Sequence, residues 1–506
     1  MAISAPGLIL DDVHDRTLLE NVHPPRWKKP EPRGRYNLVV LGAGTAGLVS
    51  AAGAAALGAR VALIEKRLMG GDCTNYGCVP SKALIRSARV IQALRDAPDF
   101  GAIPRSGIGA DFPLIMQRMR RLRARISAND SASRLTELGV DIYFGKARFR
   151  DTHTVEVDGT QLAFSKAIVA TGGRPAELSV PGFSETGYET NETIFSLTAL
   201  PSTLLVIGAG PIGCELAQTF RRFGVEVIIL TNGKRLLPRE EEDAAAILEW
   251  RFAREGIRLI VGAKLLRAEK REGRTAVFFD CGRAEQRLEA ECVLVAVGRQ
   301  PDIEGLGLEA AGVAFDERGI RVNDRLQTSN PDIYAVGDVC SAYKFTHAAD
   351  AMARVALQNA LFFGRKKASN LLIPWCTYTD PEVAHVGITE TEARRRGAEI
   401  AVITLSLEEI DRAILDGETE GYLRLYLERR QGRLLGATMV GAHAGESIGE
   451  AVLAINRCLK VNELASVIHP YPTQADALRR AAEQRLRSRF QPWMKRVLER
   501  YFRFRR

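Results

Sequence analysis

The sequence of 506 residues lacks long hydrophobic runs and contains few cysteines. No run approaches the roughly 18 apolar residues that a membrane-spanning helix needs. The first 35 residues are too polar for a secretory signal. Six of the eight cysteines stand singly, and such sparse cysteine usage is typical of a reducing compartment. The sequence therefore predicts a cytoplasmic protein without a spanning helix.

Acidic residues are scarce at the C-terminal end. The net charge is +9, and residues 485–506 hold nine Lys or Arg against one Glu, so the rest of the chain carries only +1 (nine minus eight). Apolar residues recur there at helical intervals, which predicts a basic amphipathic helix in peripheral contact with the inner membrane surface. A helix packed on its own protein and a solvated tail are the alternatives. Charge confined to one short segment argues against nucleic acid as a partner. The apolar positions are Phe490, Trp493, Val497, Tyr501 and Phe504.

Two cysteines, Cys73 and Cys78, are five positions apart, just before a helix that the pattern predicts from Pro80 onward. A disulfide needs its Cα atoms within roughly 4.4–6.8 Å. Five extended residues reach about 17 Å, so residues 74–77 must turn back to allow one, and Gly77 permits such a turn. A thiol beside the helix N-terminus would have its thiolate stabilised. The spacing alone fits a redox pair, a structural disulfide or two unpaired core cysteines.

A glycine-rich loop lies about thirty residues upstream of this pair. It follows an apolar strand at 37–41 and precedes an alanine-rich helix and a second strand at 60–64. This order is typical of a βαβ unit in which glycines admit a pyrophosphate to the helix N-terminus and an acid binds the ribose hydroxyls. The residues predicted to bind a dinucleotide here are Gly42, Gly44, Ala46, Gly47 and Glu65.

The same pattern recurs 166 residues later (208 minus 42) and predicts a second dinucleotide site. Its strand covers 204–207, its helix begins at about Glu215, and its glycines are Gly208, Gly210 and Gly213. The second strand of this unit ends without an acid: Thr231 stands there, with Lys234 and Arg235 close behind. A missing carboxylate with nearby cations suits a 2′-phosphate. The loop therefore predicts NADPH, with NADH as the alternative.

Together these motifs resemble the flavin-dependent pyridine nucleotide-disulfide oxidoreductases, which include glutathione reductase, dihydrolipoamide dehydrogenase and mercuric reductase. The resemblance runs from about Tyr36 to about Ala482 and includes further motifs at 170–173, 297–301 and 328–338. It implies an α/β chain with two Rossmann-like dinucleotide-binding domains and a C-terminal α+β dimerisation domain, assembled as a homodimer. The implied boundaries are an N-terminal extension at 1–35, an FAD domain at 36–186 and 312–372, an NAD(P)H domain at 187–311, a dimerisation domain at 373–484 and a tail at 485–506.

The resemblance also implies roles for single residues. Cys78 would contact the flavin, and Cys73 would exchange with substrate. Lys82 and Glu215 occupy the places of an ion pair near flavin N5 and the nicotinamide, and the helix opened by residues 345–349 would face the flavin pyrimidine. The remaining implied cofactor contacts are Thr171, Gly172, Gly298, Asp338, Ala348 and Ala349.

One departure from the family pattern lies near the C-terminus. Disulfide reductases supply a His and Glu acid-base dyad there, whereas this sequence has Tyr471 and Asp476, with His469 two residues early. A tyrosine with a pKa near 10 is poorly matched to a base at neutral pH, so lipoamide and glutathione chemistry are disfavoured. Mercuric reductases share the tyrosine. They also carry a C-terminal cysteine pair that this chain lacks, since its last cysteine is Cys458.

The leading hypothesis is an FAD-dependent NAD(P)H oxidoreductase that reduces a thiophilic metal or disulfide acceptor through Cys73 and Cys78. No resident metal is predicted, but these two cysteines would bind Hg(II) if it is the substrate. The alternatives are a membrane-surface NAD(P)H:quinone-type dehydrogenase, a dihydrolipoamide dehydrogenase-like enzyme disfavoured by Tyr471, and a redox-sensing flavoprotein without a catalytic role.

Overall fold

The computed structural model describes residues 8–9, 11–32, 34–103, 107–282, 284–362, 364–488 and 492–506. Parts of the predicted N-terminal extension and Phe490 of the predicted apolar stripe therefore lie outside the described residues. The chain divides into two compact units. One contains the chain up to Arg235 together with Phe252–Leu371, and the other contains Leu236–Arg251 together with Leu372–Arg506. Within the described ranges, no helix is long and apolar enough to span a bilayer.

The first part of the larger unit alternates helices with mostly parallel strands. Its helices are α1 (Val13–Val22), α2 (Thr45–Ala56), α3 (Gly71–Tyr76), α4 (Cys78–Asp96), α5 (Phe112–Ser127), α6 (Ala132–Glu137) and α7 (Phe183–Thr186). Its strands are β1 (Tyr36–Leu41), β2 (Val61–Glu65), β3 (Val140–Phe144), β4 (Ala147–Phe149), β5 (Thr154–Val157), β6 (Thr160–Val169) and β7 (Gly173–Pro175).

The second part begins with another βαβ unit and returns to the first sheet. Its strands are β8 (Thr203–Ile207), β9 (Glu226–Leu230), β10 (Arg258–Ile260), β11 (Lys264–Arg271), β12 (Arg274–Asp280), β13 (Glu285–Ala290), β14 (Cys292–Val295), β15 (Arg299–Pro301), β16 (Phe315–Asp316), β17 (Gly319–Ile320) and β18 (Ile333–Ala335). Its helices are α8 (Pro211–Phe223) and α10 (Thr346–Leu361), and the chain between them forms α9 (Glu242–Arg254), most of which belongs to the smaller unit.

Two parallel sheets carry the predicted nucleotide loops. The first has the order β3-β2-β1-β6, with β18 pairing β6 and an antiparallel extension through β5 and β4; the second has the order β10-β9-β8-β14. Residues 38–41 of β1 are fully buried, as expected for a strand covered on both faces. In the first sheet the chain passes from β1 to β2 on one side and later adds β6 on the other side of β1. In the second sheet it passes from β8 to β9 and later adds β14 on the other side of β8. Each sheet therefore has a switch point at the carboxyl end of that strand, where such folds bind nucleotides.

The smaller unit is built on an antiparallel sheet of order β19-β20-β23-β22-β21. Its strands are β19 (Trp375–Thr377), β20 (Glu382–Gly387), β21 (Ile400–Ser406), β22 (Tyr422–Glu428) and β23 (Leu434–Gly441). Its helices are α11 (Glu390–Arg395), α12 (Asp411–Asp416), α13 (Ala444–Asn456), α14 (Val461–Ala465), α15 (Asp476–Ser488) and α16 (Pro492–Phe504). Apolar residues of the sheet, α13, α14 and α15 form one buried core.

Residues 236–251, which the sequence assigns to the NAD(P)H domain, share contacts with this sheet. The Arg424 guanidinium donates to the Glu241 carboxylate at 2.6 Å, and the Trp375 indole N–H donates to Glu240 at 2.7 Å. Charged and polar side chains thus fix this segment against the smaller unit. Residues 236–251 belong to the smaller unit because of these tertiary contacts, which the hydrophobic pattern of the sequence does not encode.

Candidate redox site

A short break between two helices brings the two cysteines together. Cys73 lies in α3 and Cys78 is the first residue of α4, with Gly77 between them. A Cβ atom at Gly77 would lie 2.9 Å from the Asp72 carbonyl oxygen, so this approach of the two segments requires glycine. The chain turns back as predicted. The helix begins at Cys78 rather than at Pro80, because a proline in the first turn of a helix loses no hydrogen bond.

The environments of the two thiols shift their pKa values in opposite directions. Both cysteines are free thiols, and Cys78 Sγ lies 3.6 Å from the Thr346 hydroxyl oxygen at the start of α10. The hydrogen bond from Cys73, followed by the positive charge of Lys82, outweighs burial and lowers the pKa of Cys78 to about 6. The same hydrogen bond, together with burial, raises the pKa of Cys73. The geometry therefore favours a thiolate at Cys78 and a thiol at Cys73.

The predicted ion pair beside the cysteines is present. Lys82, one turn into α4, places its Nζ atom 2.7 Å from the Glu215 carboxylate of α8. The Glu215 side chain is buried, whereas that of Lys82 is about one-third exposed. A buried carboxylate is favourable only when it is paired, so Glu215 holds the lysine in one position near Cys78.

The first glycine loop forms a tight cradle after β1. Gly42 has φ +99°, and a Cβ atom there would lie 2.4 Å from the Ala170 carbonyl oxygen. A Cβ atom at Gly47 would lie 1.8 Å from the Gly42 carbonyl oxygen. Glu65, at the end of β2, accepts a hydrogen bond from the Ala43 amide at 2.7 Å. It accepts a second one from the backbone amide of Arg67 at 2.6 Å. Burial raises the pKa of this carboxyl.

The second glycine loop repeats this geometry after β8. A Cβ atom at Gly208 would lie 2.4 Å from the Ala296 carbonyl oxygen, and one at Gly213 would lie 2.3 Å from the Gly208 carbonyl oxygen. Gly210 faces open space. Side chains are therefore excluded where each backbone is closest, and a helix N-terminus follows at once. Both cradles fit the pyrophosphate of a dinucleotide.

Three predicted cofactor-binding segments meet beside the first cradle. A Cβ atom at Gly337 would lie 3.5 Å from that of Ala349 on α10 and 3.8 Å from that of Ala46 on α2. Ala348 is buried, and α10 begins at Thr346 as predicted. Small residues on α2 and α10 thus allow the loop that carries Asp338 to approach both helices.

The two crossover segments between the sheets also lie close together. β7 pairs with β15, and the Thr171 hydroxyl donates to the Asp302 carbonyl oxygen at 2.7 Å. Gly172 and Gly298 both adopt positive φ, at +74° and +131°, which explains why glycine occupies these two positions.

Arg299 is a central residue of the site to which the sequence analysis assigned no role. Its guanidinium lies 2.9 Å from the Asp72 carboxylate and 3.4 Å from that of Asp338, and it donates to the Gly173 carbonyl oxygen at 2.8 Å. It thereby links the loop of Asp338 to the residue that precedes Cys73. The position of Arg299 next to Gly298 was the one sign in the sequence that it belongs to the site. The neighbouring residues in the sequence did not indicate which carboxylates it would contact.

The residues after β9 occupy the positions expected from the sequence. Thr231 is buried, and its hydroxyl oxygen accepts a hydrogen bond from the Gly233 amide at 3.1 Å. Lys234 is exposed and Arg235 is half-buried. The end of this strand thus presents a hydroxyl and two cations where the first unit presents the Glu65 carboxylate.

Tyr471 and Asp476 make hydrogen bonds to different partners. The Tyr471 side chain is 74% exposed, and its hydroxyl donates to the Asp411 carboxylate at 2.8 Å. This hydrogen bond raises the pKa of Tyr471, so the phenol stays protonated near neutral pH. Asp476 is buried at the start of α15 and accepts from the Arg479 guanidinium at 2.7 Å.

His469 faces a different neighbour from Tyr471. Its Nε2 atom lies 2.9 Å from a Glu450 carboxylate oxygen on α13, and its side chain is nearly buried. His469 and Tyr471, two residues apart, therefore contact different carboxylates, Glu450 and Asp411. No motif in the sequence indicated that Glu450 would be the partner of His469.

Comparison with known proteins agrees with this architecture. The family profile of the pyridine nucleotide-disulphide oxidoreductases matches residues 36–353, and the profile of their dimerisation domain matches residues 373–482. A mercuric reductase of Staphylococcus aureus is 33% identical over 450 residues, which cover 89% of this chain and 82% of that protein. A dihydrolipoyl dehydrogenase of Thermus scotoductus is 35% identical over 454 residues, covering 88% and 97%.

Solved structures lead to the same conclusion. The HOCl-induced flavoprotein disulfide reductase RclA from Escherichia coli superposes with a TM-score of 0.79 at 29% identity, covering 88% of this chain and 99% of that one. The predicted fold class, with two dinucleotide-binding units and a dimerisation domain, is confirmed. The chain belongs to the pyridine nucleotide-disulphide oxidoreductases, a family of FAD-dependent NAD(P)H oxidoreductases.

Proposed function

We propose that this protein uses NAD(P)H to reduce a disulfide or a thiophilic metal ion through the Cys73–Cys78 pair. The supporting observation is the thiol pair itself: Cys78 has a lowered pKa, and near it Lys82 forms an ion pair with Glu215 at 2.7 Å. Structural cysteines have no need of a stabilised thiolate, whereas nucleophilic and metal-binding cysteines do. When bound, FAD would pass the two electrons of NAD(P)H to the pair.

The dithiol form has the groups that a balanced reduction requires. With a disulfide acceptor, Cys73 would lose its proton and attack one acceptor sulfur, releasing the first thiolate. Cys78 would then attack Cys73 Sγ, releasing the second thiolate and leaving a Cys73–Cys78 disulfide. Two electrons pass to the acceptor, and two thiols become one disulfide. The Cys73 proton would pass to the Cys78 thiolate along their hydrogen bond and then to the first released thiolate, so that Cys78 is again a thiolate when it attacks and the products are one thiol and one thiolate.

A thiophilic metal substrate would use the same two sulfurs as ligands. Soft cations bind thiolates in preference to oxygen ligands, and Cys78 ionises near neutral pH. The mercuric reductases among the relatives make Hg(II) the first metal to test. Lipoamide is a weaker candidate because Tyr471 has a raised pKa where a neutral-pH base would be needed.

The test is NADPH oxidation by the purified protein with Hg(II), an aromatic disulfide and a quinone as separate acceptors. Cys73→Ser and Cys78→Ser are compared with Cys458→Ser, which alters an exposed cysteine outside the site. The proposal expects Hg(II) or disulfide turnover that both site variants lose and the control keeps. Quinone turnover that survives in all three variants would support the quinone-type alternative instead.

A second proposal concerns the C-terminal helix, which we infer to bind an anionic membrane surface. In α16 the residues of the predicted apolar stripe are solvent-exposed, from Tyr501 at 48% to Phe504 at 90%. They share one face, whereas Lys495, Arg496 and Arg500 follow the other face of the helix. An exposed apolar stripe beside a cationic face matches the chemistry of a bilayer of anionic lipids. This placement is compatible with either a soluble or a membrane-bound acceptor.

A further inference from the structure

The N-terminal segment reaches the back of the redox site through a buried ion pair. Helix α1 packs on α5, and the Asp15 carboxylate lies 2.6 Å from the Arg123 guanidinium. Both side chains are at most 1% exposed. The other oxygen of Asp15 accepts from the Ile9 amide at 2.9 Å. A buried charge pair of this kind is held only where geometry and hydrogen bonds satisfy both partners.

Arg123 connects this pair to the segment between the two cysteines. A second nitrogen of its guanidinium donates to the Asn75 carbonyl oxygen at 3.0 Å. Asn75 is fully buried in the last turn of α3, and its side-chain amide donates to the Gly71 carbonyl oxygen at 2.7 Å. The last four carbonyl groups of a helix have no partner within it, so Arg123 satisfies one and places a cation at the negative end of α3.

The C-terminal end of α1 and the next residue make a second attachment just before α3. The Met69 amide donates to the Val22 carbonyl oxygen at 3.1 Å, and the His23 ring contacts the Arg67 carbonyl oxygen. The N-terminal segment thus contacts the chain immediately before α3, and Arg123 contacts its end. A helix of only six residues is marginal without such contacts.

We propose that residues 12–23, acting through Arg123, are a brace that positions Cys73 against Cys78. Cys73 lies inside α3, between the two attachment points. Release of Asn75 would let α3 fray and would weaken the hydrogen bond from Cys73 to Cys78. Arg123 and Asp15 are positioning residues in this account, since neither touches the sulfur atoms. The inference deepens the proposed function and rests on the thiol pair assigned there.

The structure offers a matched control on the same two helices. Asp12 of the brace pairs with Arg120 of α5 at 3.0 Å, but the hydrogen bonds of the described structure do not extend this pair to the cysteine segment. The test variant is Asp15→Leu/Arg123→Met, which replaces the buried ion pair with apolar side chains and keeps the packing. The control variant is Arg120→Met, which keeps Asp12 because its carboxylate also accepts the His14 and Asp15 amides at the N-terminus of α1.

The measurement is iodoacetamide alkylation of full-length, two-electron-reduced holoenzyme between pH 5 and 9. Mass spectrometry follows the peptide that contains both Cys73 and Cys78. Because only the thiolate reacts, the pH of half-maximal rate reports thiolate formation in the pair. The brace predicts an upward shift of about one pH unit in the test variant, or roughly tenfold slower alkylation below the midpoint, with the control unchanged.

The possible outcomes are distinct. An ordinary thiol midpoint in the unmodified enzyme would contradict the proposed redox pair itself. A lowered midpoint that is the same in the enzyme and the test variant would overturn the brace alone. Asp15→Asn, which retains Arg123, should shift the midpoint in the same direction by a smaller amount. If the double variant does not fold, Asp15→Asn decides the matter: an unshifted midpoint overturns the brace, and a shifted one supports it.

Discussion

At the residue scale, the pKa values of the two cysteines differ chiefly because they share one hydrogen bond, which favours the thiolate at Cys78 and the thiol at Cys73. Cys78 receives the hydrogen bond of Cys73 and lies near the Lys82 cation, whereas Cys73 is partly buried and has the Asp72 carboxylate next to it. The lowered pKa of Cys78 is about 6, so its thiolate predominates above that pH and is lost as the pH falls through it. The dithiol form is therefore prepared for reaction near neutral pH.

The first prediction concerns the absorbance of the two-electron-reduced holoenzyme. We expect a long-wavelength thiolate-to-flavin band that is present above about pH 6 and lost below it. Cys78→Ser should abolish the band because it removes the thiolate, and Cys73→Ser should retain it. Absorbance spectra across a pH titration provide the measurement. Loss of the band in Cys73→Ser and its persistence in Cys78→Ser would reverse the assignment of the two sulfurs.

The second prediction concerns Tyr471, whose phenol stays protonated at neutral pH because Asp411 accepts its hydrogen bond. We expect dihydrolipoamide oxidation below about one-tenth of NADPH-driven turnover with the preferred acceptor, since a positioned base contributes about a hundredfold or more. Steady-state rates at pH 7 provide the comparison. Comparable rates that His469→Gln abolishes would instead assign the role of base to the His469–Glu450 pair.

At the scale of secondary-structure elements, two copies of one strand-loop-helix unit differ at the end of their second strand. The unit of β1 and β2 ends in Glu65, whose carboxylate accepts two backbone hydrogen bonds. The unit of β8 and β9 ends in Thr231, followed by Lys234 and Arg235. The glycine cradles are nearly identical, so the discrimination between nucleotides depends on this strand end.

The third prediction is a preference for NADPH over NADH, measured as kcat/KM for each nucleotide. Lys234→Ala/Arg235→Ala should reduce the preference by about tenfold or more, because a hydrogen bond to a charged group contributes about 1.5–3 kcal/mol. Arg239→Ala, an exposed cation farther along the loop, is the matched control and should leave the ratio unchanged. A higher kcat/KM for NADH in the unmodified enzyme would refute the prediction.

At the scale of the whole molecule, the last 22 residues carry +8 of the net charge of +9. The family's dimerisation domain at 373–482 ends just before this tail. A homodimer would present two copies of α16, and two linked weak sites bind a surface more tightly than one. Membrane affinity would therefore depend on the assembly as well as on the helix.

The fourth prediction is that the full-length protein sediments with vesicles of anionic lipid. Each cation near such a surface contributes about 1 kcal/mol, so binding should weaken as salt increases. A truncation after Gln484 should remain in the supernatant, and neutral phosphatidylcholine vesicles are the control surface. Equal sedimentation of both proteins, or of neither, would show that the tail does not bind the membrane.

The sequence by itself determined the parts of this protein that are encoded locally. Glycines at 42 and 208 directly follow apolar strands, those at 47 and 213 lie in the first turn of the helices that come next, and this order is sufficient to predict both nucleotide cradles. The turn at Gly77 was predictable for the same reason, since two cysteines five residues apart can meet only if the chain folds back. Spacing did not indicate that the second helix begins at Cys78 rather than Pro80.

The tertiary structure alone decided which distant charges meet. Arg299 contacts Asp72 and Asp338, and Arg123 joins Asp15 to Asn75, across long separations in the chain. Such pairs have no periodicity, because a charged residue has the same local pattern whether it faces solvent or a buried partner. Their energetic value arises only when packing removes water from both groups. The positioning of the redox pair therefore depends on the assembled fold, although its cysteines can be identified from the sequence.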